Sequence, residues 1–254
     1  MIPKVIHYIW VGGKPLTPLA EKCIASWKKY CPDYEIKRWD ETNFDINQNK
    51  YCKEAYENKK WAFVSDYIRL KVLYEEGGIY MDTDVEVIKP LDNLLNLSAF
   101  SGFEDDTMIP TGIIASEKRN KWTEQLLKDY DNKNFVNEDG SFDLTTNVVL
   151  ITENTKKQYP EIQLNNTLQQ FENVSFYPKD YFCPKSHTDG KIRKTQNTYT
   201  IHHFAGSWIK KSVKFKAKVK QFIKRILGEK FVNKLKHKKQ RNVNNESSTP
   251  FSQQ

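Results

Sequence analysis

Asp82 and Asp84, two acids separated by one threonine, close a segment that runs from Val64 through a Gly77-Gly78 break. On or just after an extended segment, carboxylates at i and i+2 project to the same side. Such a pair can approach one hard cation, one acid directly and the other directly or through water. Magnesium and manganese are held in this way when they also bind substrate phosphates. The alternative, in a chain with 32 Asp and Glu residues, is a solvated turn. Arg69 lies three residues beyond Asp66, so on a helix both face one side, where the guanidinium can meet a carboxylate or a phosphate. A surface ion pair is the plainer reading of those two residues.

Other side chains with chemical potential lie further apart. Trp10 ends the first apolar stretch, immediately before Val11-Gly12-Gly13, where ligands collect in open α/β sheets and an aromatic ring can stack on a base. His7 in the same stretch reads as a core or supporting residue. The block His202-His203-Phe204-Ala205-Gly206-Ser207-Trp208 places two neighbouring histidines that, in a strand, would face opposite sides. Asn147, after Thr145-Thr146, reads on its own as a helix cap. Glu104-Asp105-Asp106 could serve an acceptor or act as a base, or be an exposed acidic loop. The chain contains no Gly-x-x-x-x-Gly-Lys-Ser/Thr, Gly-x-Ser-x-Gly or His-Glu-x-x-His motif, so phosphate recognition falls to a cation and side chains.

The elements that must position these groups follow from periodicity. Val5 to Val11 reads as a strand entering a glycine loop, Pro18 to Tyr30 as a helix, and Tyr34 to Trp39 as a second strand. Lys53 to Leu73 predicts two short helices, with Tyr67, Ile68, Leu70, Val72 and Leu73 apolar and Ser65-Asp66 starting the second. Ile79 to Met81 and Val85 to Ile88 are β-prone on either side of the acidic pair, and Phe100 to Phe103 and Gly112 to Ala115 give two more strands. Lys121 to Tyr130 is helical, residues 132 to 144 form a polar loop, and Val174 to Tyr177 and Thr198 to Ile201 are late strands around a mobile loop from Pro184 to Thr195. Alternating strands and helices predict an α/β fold with a largely parallel, Rossmann-like central sheet and flanking helices.

Composition bounds the rest. A chain of 254 residues with 13% aromatic content supports one sizeable core, and no apolar run approaches the length of a membrane-spanning helix. The first residues read as a core strand rather than a signal peptide. Cys23, Cys31, Cys52 and Cys183 are scattered, which argues against zinc or a disulfide framework and for a cytoplasmic setting. The net charge of +8 is uneven: Ile209 to Arg241 carries 14 Lys or Arg against one acid, a local +13 that leaves the remaining chain at −5. Its apolar residues Val213, Val219, Phe222, Ile223, Ile226, Leu227 and Leu235 recur near helical spacing, the pattern of an interfacial helix on an anionic membrane. Nucleic acid is the competing partner, less favoured because no stacking platform of aromatics interleaves the charge. On that competing view the protein is a basic nucleic-acid-binding protein whose acidic pair is incidental or a metal-dependent nuclease site. The expected division is a catalytic domain over residues 1–208, a basic helical segment over 209–241 and a disordered tail over 242–254.

Ser65, Asp66, Arg69, Leu73, Tyr74, Gly77, Gly78, Tyr80, Asp82 and Asp84 together form a pattern that resembles bacterial glycosyltransferase family 32. That family is similar to the yeast initiating mannosyltransferases and, more distantly, to the catalytic domains of clostridial glucosylating toxins. The resemblance spans about residues 1 to 208. It implies a single-domain GT-A fold and a retaining transfer from a nucleotide-sugar, a UDP-sugar favoured, to a glycan or lipid-linked acceptor, with manganese or magnesium at Asp82 and Asp84. It further implies that Asp66 binds sugar or ribose hydroxyls, that Arg69 contacts the donor sugar or holds the acidic loop, and that Tyr80 lies against the nucleotide or sugar. Trp10 would stack on the base and Asn147 would sit near the reacting carbon. His202, Ser207 and Trp208 match a carboxy-terminal element that folds over the donor, in which His202 or Ser207 completes the metal shell and Trp208 caps the phosphates. The implied setting is surface polysaccharide assembly at the inner face of a bacterial cytoplasmic membrane.

Overall fold

A computed structural model describes residues 1–206 apart from Thr111, His187 and Thr188. Ser207, Trp208, the basic segment 209–241 and the tail 242–254 lie outside the described residues. The amino-terminal part runs β1 (Val5–Ile9), α1 (Pro18–Tyr30), β2 (Glu35–Trp39), α2 (Lys50–Glu57), α3 (Trp61–Glu76) and β3 (Gly78–Met81). It continues through β4 (Val85–Val87), β5 (Ala99–Gly102), β6 (Ile113–Ser116), α4 (Lys121–Lys128) and α5 (Asn147–Gln158), and ends with β7 (Gln169–Gln170), β8 (Ser175–Tyr177), α6 (Lys179–Phe182) and β9 (Thr200–His202).

Seven strands make the main sheet in the order β2-β1-β3-β6-β5-β8-β7, and β4 pairs with β9 in a separate two-stranded sheet. The fold is α/β, but the main sheet is mixed rather than largely parallel. β1 pairs parallel with β2 and β3, and β5 with β8, whereas β3–β6, β5–β6 and β7–β8 are antiparallel. The reason lies in the connections. Parallel neighbours need a long crossover, normally a helix, and no α-helix intervenes between Gly78 and Ser116.

Side-chain alternation divides the core between the two faces of the sheet. Tyr80 and Ile114 pack with α2, α3, α4 and α5 residues such as Tyr51, Val64, Ile68, Trp122 and Ile151. Ile79, Met81, Ile113 and Ala115 face the other way, toward Ile24 and Trp27 of α1 and Phe182 of α6. The Trp27 indole donates to the Val85 carbonyl at 2.7 Å and the Val87 amide donates to Ser26 Oγ at 2.9 Å, so α1 fixes the strand that follows the acidic pair.

Helix α3 starts earlier than its capping residues suggest. It begins at Trp61, after Lys60, which makes no side-chain cap, and carries Ser65 and Asp66 inside. Ser65 Oγ satisfies itself on the Ala62 carbonyl at 2.7 Å, and burial of Phe63 and Val64 extends the helix towards its amino end. Its other end is set by glycine. Gly77 has φ 72°, and a Cβ there would lie 2.7 Å from the Lys118 amide nitrogen; a Cβ on Gly78 would lie 2.8 Å from both His7 Nε2 and the Val5 carbonyl. The two glycines thus let β3 enter the sheet directly beside β1. None of the helices among the described residues is long and apolar enough to cross a membrane.

Candidate metal and donor site

Asp82 and Asp84 sit in the turn between β3 and β4, closed by the Val85 amide on the Asp82 carbonyl at 2.9 Å. The turn, rather than a continued strand, brings the two carboxylates to one side. The third member arrives from far along the chain. Antiparallel pairing of β4 with β9 sets Val85 opposite His202, and the His203 amide donates to the Asp84 carbonyl at 2.9 Å. His202 Nε2 consequently lies 3.3 Å from Asp84 Oδ1 and 3.9 Å from Asp82 Oδ2. One ligand atom from each of Asp82, Asp84 and His202 falls within 4.8 Å of the others.

Of the two histidines, the structure selects His202 for this cluster. His203 turns away and meets Glu86 Oε2 at 2.8 Å. Asp84 is wrapped by the segment that follows β9: its Oδ2 accepts from the Ala205 amide at 2.6 Å, an orientation reached through Phe204 in the left-handed region at φ 52°. Burial opposes ionisation of Asp84, but His202 and the Ala205 amide outweigh it and hold the carboxyl below its ordinary range. The Nδ1 atom of His202 is buried and lacks a hydrogen bond of standard geometry among the described residues, with the buried Cys183 thiol beside it.

Asp82 is held from the opposite side. Its Oδ1 accepts from the Tyr80 hydroxyl at 2.6 Å and faces Arg69 Nη1 at 3.5 Å. Arg69 is buried and well partnered: it reaches Asp66 Oδ1 at 2.9 Å, the Ser65 carbonyl at 3.1 Å and Ser65 Oγ at 3.0 Å, and its guanidinium lies 4.5 Å from the centre of the Tyr80 ring. Of the two roles implied for Arg69, bracing the acidic loop is the one visible in this geometry. The Asp66–Arg69 pair is buried, not the surface pair that spacing alone would also allow. Burial pushes the Asp66 carboxyl up to about 7 against the lowering effect of Arg69.

The remaining expected residues are spread around this centre. Trp10 follows β1, half-buried, with its indole donating to the Lys14 carbonyl at 2.6 Å. His7 is a buried support: Trp39 Nε1 donates to its Nδ1 at 3.0 Å, so its Nε2 carries the proton towards the Gly77 carbonyl at 2.8 Å. Asn147 is the first residue of α5 and is half-buried, outside the contacts that join the cluster; the cap position belongs to Thr146. Asp105 Oδ1 accepts from the amides of Thr107 and Met108 at 2.8 and 2.9 Å, and Asp106 pairs with Lys179 at 2.5 Å. A cavity of about 380 Å³ lined by Glu41, Phe44, Asp45 and Tyr56 contains none of the expected site residues. Sequence reasoning missed the Tyr80–Asp82 bond, although two residues apart at a strand end is a visible signal. It had no signal for the Ala205 amide, because a backbone donor has no residue signature.

Comparison with known proteins bears on the same region. Residues 18–101 match the family described as "Glycosyltransferase sugar-binding region containing DXD motif". "Subversion of eukaryotic traffic protein A" of Legionella pneumophila is 28% identical over 161 residues, covering 49% of this chain and 24% of that protein. "Inositol phosphoceramide mannosyltransferase 3" of Schizosaccharomyces pombe is 26% identical over 138 residues, covering 50% of this chain and 36% of that protein. An uncharacterized glycosyltransferase of Acanthamoeba polyphaga mimivirus is 24% identical over 222 residues, 80% of this chain and 85% of the viral protein. The chain therefore spans well under half the length of the first two relatives. Asp66, Arg69, Tyr80, Asp82 and Asp84 all fall inside the segment that matches the DXD-containing sugar-binding region.

Proposed function

We propose that this protein is a divalent-cation-dependent retaining glycosyltransferase that moves a sugar from a nucleotide-sugar, a UDP-sugar favoured, to a hydroxyl of a glycan or lipid-linked oligosaccharide. The observation that carries the reading is the convergence of Asp82, Asp84 and His202 inside and beside the matched glycosyltransferase segment. Ligands about 2.1 Å from a cation are themselves about 3 to 4 Å apart, and the separations of 3.3 and 3.9 Å between His202 and the two carboxylates fit one ion. Asp82 would contribute Oδ2, since Tyr80 and Arg69 occupy Oδ1, with Asp84 and His202 Nε2 as the other ligands. An imidazole in the donor set favours manganese over magnesium.

A bound cation supplies Lewis-acid neutralisation of the diphosphate leaving group. The chain's own residues do the rest. Arg69 and Tyr80 hold Asp82 in one orientation, so little reorganisation is needed when charge develops. Asp66, at the buried end of the same network, would orient donor hydroxyls, and Trp10, at the carboxyl end of β1, would stack on the base. Asn147, Ser207 and Trp208 keep the roles implied by the family resemblance: contact near the reacting carbon, the metal shell, and the cap over the phosphates. Retention is what the family resemblance implies; of the acids that inversion could use as a base, Asp105 and Asp106 are engaged elsewhere.

The lipid named as acceptor for the fission-yeast relative accords with a lipid-linked acceptor here. The catalytic domain is then residues 1–208, and the charge of the basic segment 209–241 would draw it to an anionic membrane surface, with the enzyme at the inner face of a bacterial cytoplasmic membrane in surface polysaccharide synthesis. Titration calorimetry with UDP and GDP, in manganese or in EDTA, tests the reading. One nucleotide should bind only with manganese, and Asp84→Asn should abolish that binding. Absence of binding for both nucleotides under every metal condition would overturn it.

A further inference from the structure

Gly112 lies where the turn holding Asp82 passes the end of β6. Its carbonyl accepts from the Asp82 amide at 2.8 Å, and it is buried. No left-handed backbone angle explains the glycine; its requirement is space. A Cβ added to Gly112 would stand 2.8 Å from Val85 Cγ2, 3.1 Å from Asp82 Oδ2 and 3.2 Å from His202 Cε1. Nonbonded carbons rest about 3.5 to 4.0 Å apart, so Val85 would have to shift, while the Asp82 oxygen and the His202 ring would each have to give by a few tenths of an ångström.

The three neighbours differ in how they can respond. Val85 is β-branched, buried and fixed by the Trp27 indole on its carbonyl. Asp82 Oδ2 is the oxygen that faces His202, and turning it away rotates Oδ1 off the Tyr80 hydroxyl. His202 Cε1 adjoins Nε2, the nitrogen that faces both acids, so pressure at Cε1 displaces that nitrogen. His202 is also packed against the Phe204 ring at 4.1 Å between centroids. The crowding therefore falls on two of the three groups that approach one another.

We propose that Gly112 is a positioning residue of the cation site: the missing side chain is the space in which Asp82 Oδ2 and His202 Nε2 face each other. This rests on the cation site proposed above. Nothing in the sequence signals it, since Gly112 precedes an ordinary apolar strand and its neighbours come from positions 27 and 30 residues before it and 90 after it.

Gly112→Ala in the full chain, with manganese affinity read by electron paramagnetic resonance of the free ion and thermal unfolding followed in parallel, tests the inference. Manganese affinity should fall by about 10- to 100-fold, the range for disturbing groups that orient metal ligands. Gly112→Ala/Val85→Ala removes the closest contact, at Cγ2, while leaving those at Asp82 and His202. It should recover folding stability and keep the affinity loss, and it supplies the folded comparison if the single variant does not fold. Recovery of wild-type affinity in the double variant would reduce Gly112 to a packing residue and overturn the inference, as would unchanged affinity in a folded single variant. Failure of the wild-type chain to bind manganese would instead overturn the cation site itself, and the inference with it.

Discussion

At the scale of single residues, the site is a chain of constraints on Asp82. Tyr80, Arg69 and Asp66 fix one oxygen from one side, and Gly112 leaves room for the other. Tyr80→Phe keeps the ring beneath Arg69 and deletes the hydroxyl, so the fold should persist while manganese affinity drops about tenfold in calorimetry. A change in melting temperature with unchanged affinity would make Tyr80 a packing residue alone. Asp66 gives a pH signature. Its folded carboxyl is raised to about 7 from 3.8, so between these values the folded chain binds a proton that the unfolded chain has lost. Stability from this group is therefore greatest at the acid end and falls as pH rises through that window. Asp66→Asn should flatten the corresponding slope in urea melts between about pH 4 and about pH 7. An identical slope in both proteins would refute the assignment.

At the scale of elements, three local devices deliver the site: the glycine stop after α3, the turn between β3 and β4, and the pairing of β4 with β9. The first was legible in the sequence, because two glycines after an apolar helical pattern have few other uses. Replacing Gly77 with Ala places a Cβ at 2.7 Å from the Lys118 amide in a left-handed backbone. Loss of about 2 to 3 kcal/mol in chemical denaturation is expected, and an unaffected midpoint would show that the backbone there adapts. The start of α3 was misplaced because Ser65 looks like a cap, and only burial of Phe63 and Val64 reveals that it lies inside the helix. The mixed sheet was not legible either. Strand direction between β3, β6 and β5 depends on which strand each chain segment returns to, and local periodicity carries no record of that.

At the scale of the whole chain, the charge is divided between an acidic remainder and the basic Ile209 to Arg241. If that segment rests on an anionic surface, the full chain should sediment with vesicles containing phosphatidylglycerol and not with purely zwitterionic ones, and high salt should weaken the association. Equal partition onto both vesicle types would remove the electrostatic argument. The sequence by itself determined the α/β class, the acidic pair, the Asp66 and Arg69 partnership and the glycine break. Each is written in residues within one helix, one turn or one strand, where spacing fixes geometry. Tertiary structure alone decided that His202 rather than His203 joins the cluster, that Arg69 braces Asp82, and that Gly112 must lack a side chain. These depend on strand register and close approach between segments distant along the chain, and burial against a particular neighbour is a property of the packed molecule.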